Sequence, residues 1–305
     1  MADPLPIDHS SANLVERCHA HDRVAWSAIG RLIRLSNQSG TLLLMLPTFW
    51  ALVLASKGNP SVGLLVIFAA GSFLMRSAGV ILNDLADRSF DQRVARTKAR
   101  PLASGEVSAP TALALVAVLL IFAAGLLVFL NPLTILLSPV AVLLAAIYPL
   151  SKRIVHIPQA VLGMAFGWGV IMAWAAARNA LSLSAWLLYA AAISWAVAYD
   201  SIYALQDRDD DIRVGIKSSA VFFGSRTWMA ISIALAIMLT LLGLAGWLTG
   251  ANGAFYGVLA AVAGFVSQQV LKLRGAISAP EAFAMFKQHV WVGWAIVAGL
   301  WLGFL

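Results

Sequence analysis

The chain has 305 residues, of which 61% are hydrophobic and only 11% charged, a balance that excludes an ordinary soluble domain. Its apolar residues come in runs of about 17 to 25, the length an α-helix needs to cross a hydrocarbon layer about 30 Å thick. The formal net charge of +7 is read first as a membrane-topology signal, with attraction to anionic lipid or substrate second, and it does not argue for nucleic acid.

Residues 1–27 hold Asp3, Asp8, Glu16, Arg17, Asp22 and Arg23, and lack the basic start, short apolar centre and small-residue cleavage site of a signal peptide. They are expected to form a cytoplasmic tail that stays attached. Cys18 is the only cysteine, so no disulfide forms within the chain. The neighbouring His19 and His21 read as a mobile polar tail rather than a metal site.

Apolar runs between polar breaks predict nine transmembrane helices, at 40–56, 61–82, 111–130, 133–150, 158–177, 181–205, 228–248, 255–271 and 290–305. The first is expected to begin near Ala25. The fold class expected is an all-α polytopic membrane bundle: a single transmembrane domain over 28–305, with polar loops near 83–110 and 206–227. Lys and Arg concentrate in the tail and after the second, fourth, sixth and eighth spans, whereas the opposite loops carry only Lys57 and Arg178. Basic residues are retained on the cytoplasmic side, so the N-terminus is placed inside and Leu305 outside. The two long loops follow the second and sixth spans, a weak sign of two similar halves.

Eight of the fourteen acidic residues fall in two places: Asp84, Asp87 and Asp91, then Asp200, Asp207, Asp209, Asp210 and Asp211. Asn83, Asp87 and Asp91 recur every fourth position, and Asp200, Tyr203, Asp207 and Asp211 follow spacings of three and four. Such residues share one helical face if the helices continue past their apolar parts. Clustered carboxylates at a membrane boundary repel one another unless a cation joins them. Oxygen ligands without nearby Cys or His favour Mg2+, which bridges carboxylates to substrate phosphates. Arg34, Arg76, Lys98, Arg100 and Lys217 sit where a phosphorylated ligand needs positive charge. Topology alone accounts for most loop Arg and Lys residues, but Arg76 lies inside an apolar run, where a charge is functional or paired.

Three segments, NDLADRSFDQRVARTKARPLASG, YPLSKRIVHIPQAVLGMAFGWGVIMA and YDSIYALQDRDDDIRVGIKSSA, resemble the UbiA superfamily of membrane prenyltransferases, closest to its 4-hydroxybenzoate polyprenyltransferase branch. The family's N-D-x-x-D-x-x-x-D falls on Asn83, Asp84, Asp87 and Asp91, and its D-x-x-Y-A-x-x-D-x-x-x-D on Asp200, Tyr203, Ala204, Asp207 and Asp211. One departure follows Arg34. The family usually has Asp, a basic residue, Pro and Ile before Gly40, where this chain has Leu35, Ser36, Asn37, Gln38 and Ser39. The resemblance implies an EC 2.5.1 transferase of the bacterial inner membrane. It would move a prenyl chain from a polyprenyl diphosphate to the ring of 4-hydroxybenzoate, for ubiquinone synthesis. Mg2+ on the two aspartate segments would neutralise the diphosphate, and membrane lipid would surround the bundle. It further implies that Arg153 in YPLSKR holds the acceptor carboxylate, a role suited to a planar guanidinium. The alternatives are the same fold acting on another aromatic acceptor, or a cation-coupled transporter. A transporter predicts charges near mid-span, whereas these cluster at helix ends.

Overall fold

The computed structural model describes residues 26–94 and 96–305, so the tail expected over 1–27, with Cys18, His19 and His21, lies almost wholly outside the described residues. Within them the structure is all helical. Nine long helices follow in order: α1 (Ser39–Ala55), α2 (Val62–Ala86), α3 (Ala109–Leu126), α4 (Pro132–Ile154), α5 (Pro158–Arg178), α6 (Leu183–Val214), α7 (Thr227–Thr249), α8 (Gly253–Leu273) and α9 (Ala279–Leu302). Seven segments among the described residues are long and apolar enough to cross a membrane. Of the other two helices, α1 is apolar but has only 17 residues, and α9 carries Lys287, Gln288 and His289 in its first half. Apolar side chains cover the outside as well as the inside: Phe122 on α3 is 63% exposed and Leu136 on α4 is 75% exposed. A helix apolar on all sides is at equilibrium only in lipid.

Local chemistry sets the helix ends. Ser108 and Asn131 accept the backbone N–H of Thr111 and Thr134 and so cap α3 and α4. Asn131 Nδ2 also donates to the carbonyls of Ala175 and Ala176, at 2.8 and 3.2 Å, tying the start of α4 to the end of α5. Ser278 and Glu281 form a capping box that starts α9 eleven residues before the apolar run expected at 290–305. The polar residues that interrupt hydropathy there do not interrupt the helix.

Two further expectations are corrected. No single helix runs from near Ala25, because the chain is helical at 26–32, turns over 33–38 and restarts at Ser39, with Arg34 in the left-handed region at φ 57°. The segment near 206–227 is not all loop either. Helix α6 continues to Val214, since nothing in its acidic stretch breaks a helix before Gly215, which ends it at φ 76°. With 32 residues α6 is about 48 Å long, well beyond a hydrocarbon core, so its acidic end projects past the apolar part.

The core joins α1, α5, α6, α7, α8 and α9 around Trp50, Trp195 and Tyr199. A smaller cluster packs the segment at 26–32 and Leu102 and Val107 against α2 and α3.

Candidate active site

Helix α2 carries Asn83 and Asp84 in its last turn and stops at Ala86, where Asp87 caps it and donates its N–H to the Asn83 carbonyl at 2.9 Å. A separate helical turn, Arg88–Asp91, then holds Asp91, so the first motif is split across a break instead of running along one continuous helix. The second motif stays on one helix, with Asp200, Tyr203, Asp207 and Asp211 all on α6. Both acidic groups nonetheless meet, at the ends of helices four apart in the chain. Asn83, Asp84, Asp87, Asp91, Asp200, Tyr203, Asp207 and Asp211 line one cavity of about 320 Å³.

Of the basic residues expected there, Arg34, Arg76, Arg100 and Lys217 also line it. Asp84, buried to 1% exposure, accepts from Arg34 Nη2 at 2.8 and 3.0 Å and from Arg100 Nη1 at 3.1 Å. The same Arg100 nitrogen donates to Asp91 at 2.8 Å. Burial lowers the Arg34 guanidinium from its ordinary pKa, and the Asp84 carboxylate opposes that shift. Lys217 donates to the Ile154 carbonyl at 2.9 Å, which ties the stretch after α6 to the end of α4.

Two expected residues are not in the cavity. Lys98 is exposed on the 92–107 connection. Arg153 is exposed, donates to the Ala86 carbonyl at 2.7 Å and lies over the Phe90 ring. The reason is helical geometry, since residues adjacent on α4 point about 100° apart and Lys152 takes the inward direction. Lys152 Nζ donates to Asn83 Oδ1 at 2.9 Å and to Asp87 at 3.0 Å. In the sequence Lys152 looks like one more topology charge after the fourth span. Its signal was Tyr148 four residues earlier on the same face, whose ring lies 5.6 Å from Nζ. Arg96 likewise looks like a topology charge in the sequence. It grips Asp207 through Nε at 3.1 Å and Nη2 at 2.8 Å, and donates to the Tyr203 hydroxyl at 3.3 Å, joining the two acidic segments.

Like Lys217, which is taken by the Ile154 carbonyl, Arg76 has no carboxylate within ion-pair distance among the described residues. Its guanidinium lies 5.7 Å from the Phe166 ring centroid and across Gly40, where a Cβ would meet Arg76 Nε and Nη2 at 2.7 Å. Gly40 is thus the space that lets Arg76 extend across α1. Arg76, Tyr148 and Phe166 also line a second cavity of about 430 Å³, otherwise walled mainly by apolar groups of α1 to α5 such as Phe68, Leu120, Val142 and Met172. A polar, charge-rich chamber therefore adjoins an apolar one at these three side chains.

No three acidic side chains among the described residues converge closely enough to enclose a cation as they stand. Asp84, Asp87, Asp91 and Asp207 are instead held by Arg or Lys, while Asp200 and Asp211 have no basic partner within ion-pair distance among the described residues. The donor set is oxygen only, which suits a hard divalent cation.

Comparison with known proteins agrees with this architecture. The chain is 46% identical over 280 residues to the 4-hydroxybenzoate octaprenyltransferase of Serratia proteamaculans (strain 568), covering 92% of this chain and 96% of that protein. It is equally 46% identical over 278 residues to the protein of that name from Tolumonas auensis, covering 91% and 96%. The solved apo structure of a UbiA homolog from Aeropyrum pernix K1 superposes with a TM-score of 0.71 at 27% identity, over 87% of this chain and 98% of that one. A UbiA homolog from Archaeoglobus fulgidus bound to GPP and Mg2+ has the same fold, with a TM-score of 0.67 at 17% identity over 91% and 99%. Residues 44–291 match the UbiA prenyltransferase family itself, and with those relatives the match establishes that the chain belongs to it.

Proposed function

We propose that this protein transfers a polyprenyl group from a polyprenyl diphosphate to the ring of 4-hydroxybenzoate, with release of pyrophosphate, as a step in ubiquinone biosynthesis. The observation that carries the reading is the adjacency of two chambers. One holds both aspartate motifs and six cationic side chains, the other is apolar, and they meet at Arg76, Tyr148 and Phe166. An amphipathic substrate with a multiply charged head and a hydrocarbon tail fits that pair.

Mg2+ fits the oxygen donors Asn83, Asp84, Asp87, Asp91, Asp200, Asp207 and Asp211, which would hold it. When bound, it neutralises the diphosphate and stabilises departing pyrophosphate. Arg34, Arg96, Arg100, Lys152 and Lys217 then turn from carboxylates and carbonyls to diphosphate oxygens, offsetting the charge that builds as the C–O bond breaks. The apolar chamber holds the isoprenoid tail and keeps water from the allylic cation. Ring carbon attacks that cation, and proton loss restores the aromatic ring.

For the acceptor carboxylate, the position of Arg76 favours it over Arg153. Arg76 reaches the junction of the two chambers with no carboxylate partner, whereas Arg153 is turned outward onto a backbone carbonyl. Steady-state kinetics of variants tests the assignment. Asp84→Ala is expected to lose turnover with every acceptor. Arg76→Ala is expected to raise the KM for 4-hydroxybenzoate about tenfold to a hundredfold, the worth of one charged hydrogen-bonded pair, and Arg153→Ala to change it little. The opposite ranking would return the role to Arg153.

The surrounding arrangement is part of the proposal. Nine spans over 28–305, a cytoplasmic tail over 1–27 and an outside C-terminus place the diphosphate chamber at the cytoplasmic face of a bacterial inner membrane, with lipid around the bundle. The basic loops support that orientation.

A further inference from the structure

Helix α9 lies against both α1 and α6, and one buried indole from each donates to it, one helical turn apart. Trp50 on α1 donates Nε1–H to the Gly293 carbonyl at 3.0 Å, and Trp195 on α6 donates to Nδ1 of His289 at 2.9 Å. The two tryptophans and His289 are fully buried. Gly293 permits the approach, because a Cβ there would sit 2.5 Å from Leu46 Cδ1 and 2.8 Å from Trp195 Cη2. Any residue type supplies a backbone carbonyl, but the acceptor for Trp195 comes from a side chain.

Since Nδ1 accepts, the neutral imidazole carries its proton on Nε2. That N–H is buried without a partner among the described residues. An apolar side chain at 289 would remove that unpaired donor but would leave the buried Trp195 indole N–H without its acceptor.

An aromatic chain leads from this hydrogen bond to the reaction chamber. Tyr199 sits edge-on to Trp195 with centroids 5.1 Å apart. Phe286, one turn before His289, lies 6.0 Å from Tyr199 and 5.0 Å from Tyr203. Tyr199, Tyr203 and Phe286 form part of the chamber wall. We infer that His289 is a positioning residue: through Trp195 it fixes the rotation of α6 against α9, and with it the aromatic wall that excludes water from the allylic cation. This rests on the prenyl-transfer reading above.

If the wall loosens, water competes with the acceptor. The allylic C–O bond breaks with its electron pair leaving on pyrophosphate, a water oxygen bonds to the allylic carbon and then loses a proton, and the product is the prenyl alcohol. The test is product partition in purified wild type, His289→Asn, His289→Leu, Trp195→Phe and the His289→Leu/Trp195→Phe double variant, each with Mg2+, geranyl diphosphate and 4-hydroxybenzoate. His289→Leu and Trp195→Phe are each expected to raise the ratio of prenyl alcohol to prenylated acceptor about tenfold, with the double variant no worse than either. His289→Asn, whose amide oxygen can accept the indole, is expected to stay within about twofold of wild type. Ultraviolet resonance Raman of the indole N–H, independent of turnover, should show one hydrogen bond lost in His289→Leu and kept in His289→Asn. A purely structural role would lower the melting temperature of the variants while leaving product partition unchanged, and that result overturns the inference. So does an Asn variant that partitions like Leu. If His289→Leu fails to fold, Trp195→Phe, which keeps an aromatic ring while removing the indole N–H, decides. Wild type that releases no pyrophosphate would instead sink the prenyl-transfer reading, with the Raman comparison still judging the hydrogen bond.

Discussion

Arg34 holds a backbone conformation that side chains with a Cβ avoid, at φ 57°, while its guanidinium reaches Asp84 with two hydrogen bonds. The left-handed conformation costs about 1–2 kcal/mol relative to glycine. Replacing Arg34 by Gly removes that strain together with the ion pair, and Arg100 remains to hold Asp84. The two effects oppose each other, so Arg34→Gly is expected to change unfolding stability by no more than about 1 kcal/mol by thermal denaturation. Catalysis has no such compensation. The kcat/KM for the prenyl diphosphate is expected to fall about a hundredfold in the same variant, because a cation facing the leaving group is gone. Equal losses in stability and activity would mean that Arg34 serves only to anchor the 33–38 turn.

Among the elements, α6 carries the second motif and packs against α5. They approach closely at Gly163, where a Cβ would stand 2.9 Å from the Ile193 carbonyl oxygen and 3.0 Å from its Cα. Backbone atoms cannot yield as a flexible side chain does. Gly163→Val is therefore expected to destabilise the protein by about 1–3 kcal/mol, read as a lower melting temperature, and to separate the Asp200 end of α6 from Lys152 and Asn83. Hydropathy located most elements to within a few residues, because apolar runs of membrane length leave few alternatives. It failed where helical structure and apolarity part company. The acidic end of α6 and the polar first half of α9 are helical, since capping and the absence of breakers decide that, not burial. At the site, the spacing of the aspartates revealed which carboxylates would meet. It did not reveal which of two neighbouring basic residues on α4 faces them. That choice depends on the rotation of α4 against α2, a long-range packing result that no local spacing encodes, and it put Lys152 inside and Arg153 outside.

For the whole molecule, charge is sorted by position. Cationic and anionic side chains gather in one chamber at the ends of α2, α4 and α6, while the lipid-facing surfaces of α3 and α4 are apolar. On the proposed topology of nine spans with basic loops on one side, a reporter fused after Leu305 is expected to be active as a periplasmic alkaline phosphatase and dark as a cytoplasmic fluorescent protein. The reverse would require an even number of crossings. The most direct measurement is pyrophosphate release by the purified protein in nanodiscs, with octaprenyl diphosphate and 4-hydroxybenzoate, while the aromatic product is identified by mass spectrometry. Release that needs both Mg2+ and the acceptor, stops with a chelator, and yields a ring-prenylated 4-hydroxybenzoate is the result this account predicts. Turnover unaffected by chelation, or no prenylated aromatic product at any Mg2+ concentration, would contradict it.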